Sequence, residues 1–412
     1  MPTTAETWQR LRVTPQLVAD AMAASGDLLV IQSDLRSRHP AELVPTAMQL
    51  REMRTAAGGK LPHAEQMWGT TLTLEQATHQ RVATHKAKRF ASAGEPVADL
   101  CCGMGADAIA LAAAGMAVEA VDLRPEALLF TRWNAEAVGV ADRVRTREAD
   151  VTTLRGDGLV HLDPDRRPGG RRVRRLSECR PDLAFMQRVA AGKGGAIKLS
   201  PASDFGGKFD GCEIELVSLE GECREATVWF GSLADGETMR ATVLRGDQSA
   251  TLAGDPLDAI AEVADLGDVL IDPDPAVVRA GLVDLLCERA GLSRLDPAEE
   301  YLTGPADTPN PPSERFGACF RVIDRCGNNP KQIRRLLDAH DVGRLEVKTR
   351  HVQADANALQ RKYQRQPSEA FGGHPLTLFL ARLRGKTTAV LTQRVRTAHG
   401  NRRDAVTTSR PN

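Results

Sequence analysis

The sequence predicts an α/β chain built on a mostly parallel sheet, with a helical N-terminal region and a smaller α/β domain at the C-terminal end. Three observations carry this. Up to about residue 90, apolar residues recur at helical spacing and no strand-like alternation interrupts them. From Pro96 onward, short apolar runs alternate with helical stretches, the pattern of βαβ units. Toward the end the charge balance reverses: residues 231–330 carry 18 Asp/Glu against 8 Lys/Arg, whereas 331–412 carry 6 against 17. The chain as a whole is formally neutral, so its partners are indicated by the distribution of charge rather than by its sum.

At 412 residues, 42% of them hydrophobic, the chain has material for two or three cores. Eight cysteines occur without a CxxC pair, and two of them (Cys101, Cys102) are adjacent. That spacing suits neither a disulfide framework nor a metal site. There is no basic-then-apolar leader and no apolar run long enough to cross a bilayer, so a reduced, cytoplasmic protein is expected.

Taken in order, Thr14-Pro15 opens a helix, because proline is pre-set for a first turn. Residues 41–53 and 74–90 repeat the helical pattern. Strands are expected at 97–100, 118–121, 144–148, 158–162 and 196–200, and helices at 106–114, 125–138 and 182–191. Two further strands, 213–219 and 226–230, are expected to form a hairpin that adds one antiparallel strand to the sheet. Beyond 232 we expect a strand at 269–272, one helix over 276–290 stopped by Gly291, and a strand at 318–323. A helix at 331–339, a strand at 344–349, a helix at 356–363 and a final βαβ-like or hairpin stretch complete the pattern. The domains implied are a helical region at 1–90, a ligand-binding sheet domain at 91–232, a linking α/β segment at 233–314, a last domain at 315–394 and a disordered tail at 395–412.

The run Val97-Ala98-Asp99-Leu100-Cys101-Cys102-Gly103-Met104-Gly105-Ala106-Asp107 is a strand, a glycine turn and a helix start. Glycine lets backbone approach a ligand, and the helix presents free N–H groups to an acidic group. The next strand ends in Asp122, where such folds bind ribose hydroxyls, and the one after in Asp150. A dinucleotide site uses GxGxxG; Ala108 at the third position is small, which leaves that test open. Asp99 would repel a pyrophosphate but suits a cationic amino group, which favours S-adenosyl-L-methionine (SAM).

Asp99-Leu100-Cys101-Cys102-Gly103-Met104-Gly105 resembles the first motif of class I SAM-dependent methyltransferases, with their Rossmann-like sheet. The likeness is greatest to the Asp-x-x-(Cys/Ala)-Gly-x-Gly branch found in RNA methyltransferases, including cap-type N2-guanine enzymes, and covers roughly 75–230. It implies that Asp99, Cys101, Gly103 and Gly105 cradle the methionine and ribose end, Asp122 the ribose hydroxyls and Asp150 the adenine amine. Leu72-Thr73-Leu74-Glu75-Gln76-Ala77-Thr78 resembles the segment that covers the cofactor in this branch.

After the fourth strand comes His161-Leu162-Asp163-Pro164-Asp165-Arg166-Arg167, where the family places Asp/Asn/Ser-Pro-Pro and an aromatic. Here Asp163, Pro164 and Asp165 are the catalytic candidates, with Asp163 orienting or deprotonating an amine, but the aromatic that stacks a base is missing. Asp-Pro-x-Arg is also similar to enzymes that methylate uracil at C5. Those need a cysteine after the next strand, where this chain has Ser200, and Cys179 sits in an arginine-rich loop, so that chemistry is disfavoured. Arg166, Arg167, Arg171 and Arg172, with Arg174, Arg175 and Arg180 nearby, suit phosphate contacts.

Residues 315–394, with Gly343-Arg344-Leu345-Glu346-Val347-Lys348-Thr349-Arg350, resemble the THUMP-like domain that follows this core in some bacterial proteins. THUMP modules bind structured RNA, so the likeness implies RNA, such as transfer or ribosomal RNA, as partner. With only 4% aromatics, shape and phosphate recognition are favoured over stacking. The expected function is methyl transfer to a nitrogen of an RNA base. The alternatives are a small-molecule or protein methyltransferase, or a non-catalytic RNA-binding protein with a degenerate core.

Overall fold

The structure is a computed structural model. It describes residues 5–395 apart from 155–157, 168–172, 174, 307–314, 341, 353–354 and 365–373. The chain forms two compact units, one of residues 1–215 and 225–236, the other of 216–224 and 237–412.

The first unit begins with α1 (Ala5–Arg12), α2 (Pro15–Ala23), α3 (Leu28–Arg38) and α4 (Val44–Ala56). Pro15 occupies the first turn of α2, and Asp27 caps α3 by accepting from the Leu29 and Val30 amides. The expected helix at 74–90 is instead two, α5 (Thr71–Gln76) and α6 (Gln80–Ala91). Ala77 is extended, and the His79 side chain accepts from the Arg81 amide to start a new helix, a cap that competes with continuation.

There follow β1 (Val97–Leu100), α7 (Ala106–Ala113), β2 (Val118–Asp122), α8 (Pro125–Val138), β3 (Val144–Glu148), β4 (Leu159–Leu162), α9 (Leu183–Ala190) and β5 (Gly194–Leu199). The five strands run parallel in the order β3-β2-β1-β4-β5. The order reverses between β1 and β4, and ligands of such sheets bind outside the strand ends at that point. β4 and β5 are buried along their whole length, as strands covered on both faces must be.

β6 (Glu213–Leu219) and β7 (Glu222–Gly231) form the expected hairpin, with β7 antiparallel to β5. Its two-residue turn, Glu220-Gly221, has φ of 51° and 84° at the two positions, as a tight hairpin requires. The division between the two units runs through this hairpin.

The N-terminal helices bury Trp8, Leu11, Leu17, Leu35 and Leu50 in one core with Phe130 and Trp133 of α8. Trp8 meets Phe130 edge-on at 4.9 Å between ring centroids, and the Arg12 guanidinium lies 4.7 Å from the Trp133 ring. This apolar contact fixes α8, which in turn carries groups that hold the glycine turn.

In the second unit, β8 (Met239–Arg245) and β9 (Gln248–Gly254) form a hairpin that the sequence reading did not anticipate. β9 is exposed at Gln248, Ser249 and Thr251 and buried only at Leu252 and Gly254, so its residues lack a clean apolar alternation. Next come β10 (Val269–Pro273), α10 (Pro275–Arg279) and α11 (Val283–Ala290), where one helix was expected over 276–290. Gly281, at φ 72°, breaks it, while Gly291 ends α11 in the left-handed conformation as expected.

β11 (Ser293–Arg294), β12 (Leu302–Gly304), β13 (Gly317–Gly327), α12 (Pro330–Ala339), β14 (Val342–Thr349), α13 (Ala356–Tyr363), β15 (His374–Leu383) and β16 (Lys386–Arg394) complete the unit. The sheet order is β11-β12-β10-β13-β16-β15-β14. β14 and β15 are parallel across α13, and β15 turns back into β16 at Arg384-Gly385, so the final stretch holds both a βαβ unit and a hairpin. Phe379 lies 5.0 Å from Tyr301 and 4.8 Å from Phe320 between ring centroids, the aromatic centre of one core. Residues after 395, where the tail was expected, lie outside the described ones. No helix among the described residues is long and apolar enough to cross a membrane.

Candidate active site

A cavity of about 560 Å³ lies along the strand ends of the first unit. Its walls come from the turn after β1, the ends of β2 and β3, the segment after β4 and the break between α5 and α6.

The turn after β1 is held by its neighbours. Cys101 and Gly103 take positive φ, 62° and 59°, and Gly105 caps α7 at φ 87°. The Gly103 amide donates to Asp122 Oδ2 at 3.0 Å, and Asp122 Oδ1 accepts the Arg124 amide at 2.9 Å. From α8, Thr131 Oγ1 donates to the Gly103 carbonyl at 3.1 Å, and Asn134 Nδ2 donates to the Met104 carbonyl at 3.0 Å. Both side chains are fully buried, so these bonds are shielded from water. Asp150 Oδ1 accepts from the amide and hydroxyl of Thr152 at 2.9 and 2.7 Å, which holds its carboxyl below the usual range.

The segment after β4 starts with the Asp163 amide donating to the Leu100 carbonyl, 3.1 Å. Asp163 Oδ2 lies 2.6 Å from Lys198 Nζ on β5, and the same ammonium donates to the Gln76 carbonyl at 3.2 Å. Asp165 pairs with Arg180 through two backbone hydrogen bonds of 2.7 and 3.0 Å, bringing Arg180 to the cavity wall. Asp165 Oδ1 accepts from the Arg167 amide at 2.8 Å and from Gln76 Nε2 at 3.3 Å, and Arg167 pairs with Glu75 at 2.7 Å.

Beside the cavity is a buried charge network. His161 Nδ1 lies 2.7 Å from Asp99 Oδ1, and Lys86 Nζ lies 3.2 Å from His161 Nε2. An ammonium only donates, so Nε2 accepts and the ring proton sits on Nδ1, facing Asp99. Lys86 also pairs with Asp107 at 2.9 Å and Glu225 at 2.7 Å. Burial disfavours the Lys86 ammonium, but these two carboxylates outweigh it and raise its pKa. Burial acts likewise against the Asp107 carboxylate, and the Lys86 ammonium, with a hydrogen bond from the Thr78 hydroxyl, outweighs it, holding Asp107 well below the usual range. For Asp99 burial wins over His161, and its pKa is raised.

The cavity thus brings together Cys101, Gly103, Asp122, Asp150, Asp163, Pro164, Asp165, Arg166 and Arg167 of the expected residues. Asp99 is not among its lining residues; it is 1% exposed and turned to His161. Gly105 does not line it either and acts as the cap of α7. Arg171 and Arg172 lie outside the described residues.

The sequence reading missed Lys198, Asp107, His161 and Lys86. A lysine inside the apolar run Ala196-Ile197-Lys198-Leu199 was the available signal, because an unpaired charge is not buried there without a partner. In the second unit Glu299, Glu300 and His351 bring ligand-type atoms within 4.8 Å of one another. Glu299 already accepts from the Glu300, Tyr301 and Arg382 amides, a structural use of that carboxylate.

The comparisons agree with this geometry. The RNA cap guanine-N2 methyltransferase family matches residues 94–194, and the THUMP domain-like family matches 317–394. Two relatives from strains of Mycobacterium tuberculosis, named as uncharacterized S-adenosylmethionine-dependent methyltransferases, are each 34% identical over 352 residues, 82% of this chain and 93% of theirs. A crystal structure of a protein assigned as a methyltransferase in Porphyromonas gingivalis shares the fold, with a TM-score of 0.68 at 18% identity over 92% of this chain and 94% of that one. With the parallel sheet, the glycine turn and the acidic strand ends in place, the chain belongs to the SAM-dependent methyltransferases and carries a THUMP-like domain at its C-terminal end.

Proposed function

We propose that the chain transfers a methyl group to a nitrogen of an RNA base, using the cavity of the first unit for both SAM and the acceptor nitrogen. The observation that carries this reading is continuity: the glycine turn and the Asp163-Pro164-Asp165-Arg166-Arg167 segment line one and the same cavity.

The residues present fit SAM. A Cβ on Gly103 would meet nothing within 4 Å, so the bare backbone leaves room for a ligand against the turn. Asp99 Oδ2 is a buried acceptor that no donor among the described residues uses, although Asp99 itself does not line the cavity. In this reading Gly103 and Cys101 flank the methionine and ribose end, Asp122 takes ribose hydroxyls, Asp150 the adenine amine, and Asp99 supports the methionine end from within the sheet. When bound, SAM supplies a sulfonium methyl group open to direct displacement.

Asp163 supplies the acceptor at the transfer point. Its carboxylate is ion-paired with the buried Lys198 ammonium, so it serves to orient an N–H by hydrogen bonding. Pro164 is buried and stiffens the turn, and Asp165 holds Arg167 and Gln76 about it. No described residue lining the cavity is aromatic, so the base is held by polar groups and guanidinium planes rather than a ring.

The match to an RNA methyltransferase family, the THUMP-like domain and the arginines at the cavity (Arg166, Arg167, Arg180) all support RNA as partner. The test is incubation with methyl-labelled SAM and fractionated cell RNA, followed by nucleoside analysis. Label in an N-methylated nucleoside, lost in Asp163→Ala, is the expected result; label confined to protein or metabolite fractions excludes the reading.

A further inference from the structure

Three contacts join the segment at the α5–α6 break to the transfer segment. Two lie near the surface: Arg167 with Glu75, whose side chains are 31% and 60% exposed, and Gln76 Nε2 with Asp165 Oδ1 at 3.3 Å. Exposed pairs of this kind hold geometry weakly, because water and salt compete for both partners. The third runs through Lys198, whose side chain is 6% exposed. Its single ammonium reaches Asp163 Oδ2 at 2.6 Å and the Gln76 carbonyl at 3.2 Å. A buried ammonium without partners is costly, so these two acceptors are tied to one point in a way the surface pairs do not match.

β5 is the rigid part of this arrangement. It is buried from end to end and hydrogen-bonded on both sides, to β4 and to β7, so Lys198 is presented from the sheet rather than from a loop. Asp163 and Gln76, by contrast, stand outside strands, at a segment after β4 and at a helix end.

We propose that Lys198 is the positioning residue of the transfer site: one ammonium fixes the Asp163 carboxylate and the Gln76 backbone together, so the acceptor-orienting group and the part of the cavity wall at the end of α5 keep one geometry. This rests on the reading of Asp163 as the group that orients the acceptor nitrogen. Loss of Lys198 leaves Asp163 free to rotate and releases the wall, while the glycine turn and Asp122 are untouched. The consequence falls on turnover rather than on SAM binding.

Two measurements on the full chain separate this inference from the reading beneath it. The first is amide hydrogen exchange with S-adenosylhomocysteine bound. In Lys198→Met, exchange at residues 73–78 and 163–167 accelerates together by about tenfold or more, and Lys198→Arg, which keeps a buried donor, restores most of the protection. Unchanged exchange in either segment overturns the inference, whatever RNA does.

The second is methyl transfer to total RNA from a strain lacking the gene. Lys198→Met lowers kcat on the order of 10²-fold, the scale of a misplaced catalytic group, with KM for SAM within about threefold. Lys198→Arg recovers part of kcat, and adding Lys198→Met to Asp163→Asn costs little more. If Asp163→Asn is impaired and Lys198→Met is not, Lys198 has no positioning role. If the wild type labels no RNA, the RNA reading fails, and the exchange result alone decides the inference. Should Lys198→Met not fold, judged by its melting curve, Lys198→Gln serves in both measurements under the same criteria.

Discussion

Gly103 and Gly105 both adopt positive φ, 59° and 87°, but their surroundings differ. A Cβ at Gly105 would lie 2.9–3.0 Å from the side chain and Cα of Thr131, whereas one at Gly103 would enter open space. Gly105→Ala therefore combines backbone strain with a clash against α8 and is expected to cost about 2–3 kcal/mol of stability by chemical denaturation. Gly103→Ala bears the strain alone, about 1 kcal/mol, but its methyl projects beside the cavity and should weaken SAM at least about tenfold by calorimetry. Equal stability loss in both variants, with SAM affinity intact, would contradict the assignment. Cys101 gives a second test at this scale. Burial and the surrounding carboxylates of Asp122 and Asp163 push its thiol well above its ordinary value, and burial also raises Cys179. A thiol raised in this way is a poor nucleophile at neutral pH, which disfavours covalent C5 chemistry through either. Iodoacetamide at pH 7 should leave methyl transfer intact; rapid inactivation through Cys101 would argue otherwise.

At the level of elements, the buried pairs of α6 bind it to the core sheet. Lys86→Met leaves Asp107 and Glu225 buried without their cation and is expected to cost about 3–5 kcal/mol. The pH dependence follows from the directions of the shifts. Asp107 is held below its ordinary value of 3.8, so its contribution is present above about pH 4 and fades as pH falls toward its folded value. Lys86 is raised above 10.5, so its contribution is present below that pH and is lost only as pH rises through the folded value. The stability gap between wild type and Lys86→Met should thus be widest between about pH 4 and 10 and narrow in acid; a gap that grows below pH 4 would contradict this account. Elements were most legible where one rule dominated. β1, β2, β4 and β5 follow from buried apolar runs, and Gly291 from its place as a helix stop. The helix broken at Ala77 and the one broken at Gly281 were not separable by periodicity, since the apolar spacing continues through both breaks while local capping decides them. The site was legible in its turn and acids, because each of Asp122, Asp150 and Asp163 stands at or just after the end of a strand that the sequence marks by itself. It was not legible in Lys198 and Lys86, whose partners Asp163 and Asp107 lie 35 and 21 residues away and which only the fold brings together.

The whole molecule joins a methyltransferase unit to one ending in a THUMP-like domain, and the charge reverses from acidic to basic across residues 231–412. If RNA is the partner, phosphate contacts supply much of its affinity. With four or five such contacts, binding to total transfer RNA should weaken roughly 10²-fold between 50 and 200 mM salt. Replacing Arg166 and Arg180 together should flatten that slope by about two; an affinity insensitive to salt would exclude a phosphate-based mode. The most direct test of the central claim remains the fate of the methyl group. Incubated with methyl-labelled SAM and fractionated RNA from cells lacking the gene, the wild-type chain should place label in an N-methylated nucleoside and the Asp163→Ala chain should not. Label appearing only in protein or small metabolites, or in C-methylated nucleosides, would contradict the account.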